Sequence, residues 1–113
     1  REILQKKDER KVKLQTSLDL IINQLKNLGV LKIIIFGSFA KGDVDVNSDL
    51  DLFVLMPSPR TGKEWMDIIY EKIDRKVASD IIVFNEEELK EKLPSSSFLQ
   101  SITKGKVVYE KTA

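Results

Sequence analysis

Three short apolar runs alternate with stretches of helical period, and this restricts what the chain can fold into more than any other feature. The runs are KIIIF at 32–36, LDLFVLM at 50–56 and ASDIIVF at 78–84. Runs of this length, bounded by turn-forming residues, read as buried strands. Gly29 lies before the first, and Pro57 and Pro59 end the second. Upstream, Leu14, Leu18, Ile21, Leu25 and Leu28 recur on one helical face. They predict a helix over 17–28, with Thr16 and Asp19 as a capping box, Gly29 as its stop and residues 1–15 as an extended helical arm. Trp65, Ile68, Ile69 and Ile73 give a second helix over 62–75 with one core-facing stripe. Asn85 is a good N-cap for a helix over 85–93. Residues 94–105 read as a turn and a short helix, with Ser95, Ser96 and Ser97 in a capping turn, and KVVYE at 106–110 as a final strand. Residues 37–48 form a loop with one helical turn after Gly37. Strands interleaved with helices predict an α/β (α+β) fold, a small sheet packed on helices, in a single domain spanning 1–113.

Composition narrows the chemistry. The chain has 113 residues, a formal net charge of +1, and neither cysteine nor histidine. Disulfides, thiol nucleophiles, cysteine-based zinc sites and imidazole bases are therefore excluded. Any metal must be held by oxygen, which favours Mg²⁺, Mn²⁺ or Ca²⁺. The near-neutral charge gives no strong sign of direct nucleic-acid or membrane binding. The cations of the N-terminal arm, Lys6, Lys7, Arg10, Lys11 and Lys13 among them, read as a solvated helical face. No run approaches the length of a membrane span and no signal peptide is visible, so a cytoplasmic location is the expectation.

The second strand is preceded by a concentration of acid: Asp43, Asp45, Asp49 and Asp51 in the stretch GDVDVNSDLDLFVL. Two carboxylates ~5 Å apart repel by about 3 kcal/mol at an effective dielectric of 20. An EF-hand does not explain them, since its sixth position holds Ser48 in place of Gly and its twelfth holds Val54 in place of Glu. A Walker loop does not either, because Asp43 and Val44 stand where Lys and Ser or Thr are required. Turn formation accounts for Asp43, Asp45 and Asn47. It does not account for Asp49 and Asp51, which alternation puts on one face of a strand. A divalent cation between them, completed by the phosphates of a nucleotide, would offset their repulsion. Gly37 and Ser38 suit a backbone approach to phosphate at a helix start. Asp80, the acid of the third strand, is the candidate third carboxylate.

These residues resemble the nucleotidyltransferase superfamily related to DNA polymerase β. Its pattern of hydrophobic-Gly-Ser, about ten residues, then Asp-hydrophobic-Asp-hydrophobic is met by Phe36-Gly37-Ser38 and Asp49-Leu50-Asp51-Leu52. GSFAKG followed by NSDLDL is similar to the corresponding stretch of the minimal nucleotidyltransferases, chains of about this size. Lys41 stands where that family commonly has Arg, keeping the charge and losing the planar fork. The resemblance implies a polymerase-β-like fold and transfer of a nucleoside monophosphate from an NTP, with release of pyrophosphate. It implies two Mg²⁺ ions, with Mn²⁺ as a substitute, held by Asp49, Asp51 and Asp80, and phosphates held by Gly37, Ser38 and Lys41.

The acceptor is less constrained. Minimal nucleotidyltransferases of antitoxin type pair with HEPN-domain proteins and transfer AMP from ATP to a tyrosine of that toxin, so the resemblance implies a HEPN-domain partner. Three alternatives stay open: a homo-oligomer that builds the acceptor site between subunits, a non-catalytic binding module, and a small-molecule nucleotidyltransferase. Arg60-Thr61-Gly62-Lys63 reads as a plain loop, and Tyr70 and Tyr109 as packing residues.

Overall fold

The computed structural model describes residues 2–44, 48–75, 77 and 79–112, with side chains from Gln5 onward. Asp45 and Asn47, expected in a turn, lie outside the described residues. So do Arg1 of the arm and Ala78, the expected first residue of the third strand.

The first helix takes in the expected arm together with the apolar stripe. α1 runs unbroken over Glu2–Asn27. Leu14, Leu18, Ile21 and Leu25 form its buried stripe, whereas residues 5–13 are exposed apart from half-buried Arg10. Thr16 and Asp19 are therefore interior residues and make no capping box; Asp19 instead accepts a 3.0 Å hydrogen bond from Gln15. The predicted stop holds. Gly29 has φ of 91°, and its N–H donates to the Lys26 carbonyl while that of Val30 donates to the Leu25 carbonyl. This pair of bonds is a Schellman closure, which needs the left-handed conformation that glycine adopts freely.

β1 (Lys32–Phe36), β2 (Leu50–Met56), β3 (Ser79–Asn85) and β4 (Lys106–Glu110) form one sheet in the order β3-β2-β1-β4. β1 is antiparallel to β2 and β4, and β2 is parallel to β3. Between β1 and β2 lies the single turn α2 (Gly37–Ala40). The parallel pair is bridged by α3 (Gly62–Lys72), which ends short of the expected residue 75. Thr61 and Glu64 make a reciprocal capping box at its start, so the 60–63 segment is a helix entry. α4 (Glu86–Lys92) begins at Asn85, which with Glu88 forms the expected cap. A short 3₁₀ turn at Leu93–Ser95 and α5 (Ser97–Thr103), capped by the Ser96 hydroxyl, lead into β4.

Alternation along the strands gives the sheet two faces. Ile33, Ile35, Leu50, Leu52, Val54, Met56, Ile81 and Val83 pack against the stripes of α1 and α3. Ile34 and Phe53 pack on the other face against Leu99 and Ile102 of α5, flanked by Phe36, Leu55, Ile82 and Phe84. Asp51 and Asp80 share the register of Phe53 and Ile82, and so belong to this second face.

The split along α1 has a measurable consequence. Ile21→Ala, in the fully buried stripe, should cost about 2–5 kcal/mol, while Val12→Ala, 65% exposed on the arm, should stay within about 0.5 kcal/mol. Urea denaturation of the two variants checks both values.

Candidate active site

The parallel register sets Asp51 of β2 directly opposite Asp80 of β3, and the antiparallel register sets Asp51 opposite Phe36 of β1. All three lie on the face that α5 covers further along the sheet. Asp51 is half-buried and Asp80 exposed. Asp49, immediately upstream of β2, is exposed. Burial pushes the Asp51 carboxyl above its ordinary value, and the charges of Asp80 and then Asp49 push it the same way. The three predicted carboxylates are thus close enough to act on one another. Among the described residues, however, no group of three acids converges as a ready metal cage.

Asp49 has another partner. Arg10, from the N-terminal half of α1, places Nη2 3.2 Å from Asp49 Oδ1 and donates from Nε to the Ser48 carbonyl at 2.8 Å. This explains why Arg10 alone of its neighbours on the arm is half-buried. A partly exposed ion pair of this kind stabilises by up to about 1 kcal/mol.

Gly37 is needed at its position on two counts. Its φ is 78°, and a Cβ there would stand 2.2 Å from Asp51 Oδ2. The backbone at the start of α2 therefore lies directly against the Asp51 carboxylate, a contact that the sequence pattern does not foretell. Ser38 follows on this turn, with its hydroxyl 3.3 Å from that of Ser48. The Asp43 N–H donates to the Ser38 carbonyl and closes the turn, the role expected of a turn-forming acid. Lys41 caps the far end of α2. It is exposed and lines a cavity toward β4.

These residues fit a divalent cation. The donors are hard carboxylate oxygens on or just before paired strands, and the charges of Asp80 and Asp49 both bear on Asp51. Asp51, Asp80 and Asp49 would hold the ion, Asp49 through the oxygen that Arg10 does not engage. Sequence patterning points to Gly37, Ser38, Asp49, Asp51 and Asp80 together. It does not reveal Arg10, since its contact with Asp49 spans 39 positions and no local motif encodes it.

The chain belongs to the nucleotidyltransferase domain family, whose model matches residues 18–109. No curated protein matches it. Among solved structures, the chain is similar to a protein from Sulfolobus solfataricus provisionally named a nucleotidyltransferase. The two share 18% identity over 94% of this chain and 88% of that chain, with a TM-score of 0.67. At that identity the likeness bears out the fold, including the mixed sheet packed on helices. The protein is thus a nucleotidyltransferase, of a family that in general uses an NTP and a divalent metal. Among the described residues no helix is long and apolar enough to cross a membrane.

Two outcomes follow from the site's electrostatics. A carboxyl whose folded pKa is raised contributes stability below its unfolded value and loses it as pH rises through the folded value. Asp51→Asn should therefore melt higher than the wild type at pH 7, with the gap closing as pH falls below the ordinary value of 3.8; thermal scans across pH test this. Gly37→Ala should destabilise by about 1–2 kcal/mol from the left-handed backbone alone, with displacement of Asp51 adding to it, as read by chemical denaturation.

Proposed function

We propose that the protein transfers AMP from ATP to a tyrosine hydroxyl of a HEPN-type partner protein and so acts as the antitoxin of that pair. One observation carries the transfer chemistry: Asp51 and Asp80 face each other across paired strands with the Gly37 backbone against Asp51. That arrangement concentrates negative charge beside a helix start suited to phosphate. The tyrosine acceptor and the HEPN partner rest on the resemblance of GSFAKG and NSDLDL to the minimal nucleotidyltransferases of antitoxin type.

In this reading Asp49 and Asp51 hold Mg²⁺, and Asp80 completes the set. Two bound ions would stabilise the attacking and leaving oxygens and neutralise phosphate charge. The Ser38 hydroxyl and the amides at the start of α2 hold the β- and γ-phosphates. Asp80, exposed at the edge of the pair, orients the acceptor hydroxyl and takes its proton. The acceptor oxygen forms a bond to the α-phosphorus, the bond from that phosphorus to the β-phosphate bridge breaks, and pyrophosphate leaves with the electron pair. Positioning and charge are all that the protein supplies, which suits a chain without His or Cys.

α-Labelled ATP with Mg²⁺ is to be added to the pure protein, alone and with extract of its host, beside Asp51→Asn. Label should move to one host protein with the wild type and fall at least about a hundredfold in the variant. Undiminished transfer by folded Asp51→Asn would sink the site assignment. Label arriving on RNA or a small molecule would sink the acceptor assignment.

A further inference from the structure

A cavity of about 460 Å³ lies beside the candidate site, between α2 and the turn that joins α5 to β4. Phe36, Ala40 and Ile102 form apolar parts of its lining, and Lys41, Lys104 and Lys106 also line it. All three lysines are exposed, and among the described residues no carboxylate pairs with any of them. Gly105 makes their approach feasible. A Cβ there would stand 2.5 Å from the Ile35 carbonyl oxygen and 3.0 Å from that of Ile102. The turn therefore lies tight against β1, with Lys104 and Lys106 as the residues next to Gly105 in the chain.

The sheet order determines how this cavity relates to the acids. Across the sheet come Asp80 on β3, Asp51 on β2, Gly37 at the end of β1, and then the lysines beside β4. Negative charge stands on one side of the α2 turn and positive charge on the other. A triphosphate lying over α2 with its reacting phosphorus at the acids extends its far end toward the lysines.

We infer that this cavity receives the terminal phosphates of the nucleoside triphosphate, and the pyrophosphate released from it, with Lys104 and Lys106 as phosphate ligands in addition to Lys41. This rests on the reading of the site as the place of nucleotidyl transfer. The chemistry recognised is a polyphosphate, not the base or the sugar.

The test is calorimetric titration of the full chain with Mg²⁺ and, separately, pyrophosphate, ATP and AMP. The wild type is compared with Lys104→Gln/Lys106→Gln and with Lys104→Arg/Lys106→Arg, thermal melting serving as the check on folding. The glutamine pair should weaken pyrophosphate and ATP by about tenfold or more, leave AMP unchanged, and be rescued by the arginine pair. Equal pyrophosphate binding by wild type and glutamine variant overturns the inference, as does a loss confined to AMP or no pyrophosphate binding by the wild type. A glutamine variant that binds pyrophosphate like a wild type active in nucleotidyl transfer overturns this inference alone. Lysine-dependent pyrophosphate binding by a protein that transfers nothing supports the cavity's assignment and counts against the proposed transfer.

Discussion

A half-buried carboxyl held against a glycine, with two further carboxylates acting on it, is the constraint around which this fold is arranged. Asp51 lies on the central strand β2, on the face it shares with Phe36, Phe53 and Asp80. It is half-buried, and Asp80 and Asp49 both raise the cost of its charge. A folded domain tolerates such a group when the rest of the strand more than compensates. Here Leu50, Leu52, Val54 and Met56 fill the opposite face completely, and Phe53 anchors the same face a little further on. Stability and unrelieved charge are thus placed on successive residues of one strand, which is common where a site must bind something of opposite sign.

Arg10 adds a second layer. Asp49 is satisfied by a guanidinium from α1, so the three acids do not all carry unrelieved charge at once. The arm that supplies Arg10 lies upstream of Leu14, and its described side chains, residues 5–13, are exposed apart from that of Arg10. Its helical state there owes little to packing. Lys, Glu, Gln and Arg are good helix formers, and the charged face is continuous with a well-packed C-terminal half.

The limits of the sequence reading follow the same physics. KIIIF and LDLFVLM are legible to the residue because apolar runs end abruptly at turn residues. Asn85 and Ser96 are legible because an N-cap is a local bond between neighbours. The buried stripe of α1 begins at Leu14 among the described residues, so periodicity marks only its second half, while the charged arm expected as a helical extension is continuous with it, and Thr16 and Asp19 look like a start only where the upstream turn is ignored. The Thr61–Glu64 box was available in the string TGKE but was hidden by the basic residues around it. Gly37, Ser38, Asp49 and Asp51 declare themselves through spacing, since all four meet within one loop and one strand. Arg10 and the lysines of the α5–β4 turn reach the same region through tertiary contacts, and nothing local to those residues signals it.

The parallel pairing of β2 with β3 also determines where this chain can change in length. Side chains alternate with a period of two, so one residue inserted into either strand would send Asp51 and Asp80 to opposite faces of the sheet and turn the core residues outward with them. The segment from Pro57 to Arg60 carries no such coupling, because loop closure grows only slowly in cost with added residues. Size variation among proteins of this architecture is therefore expected to collect in the connections, while both strands keep a fixed count from their acids to their apolar anchors.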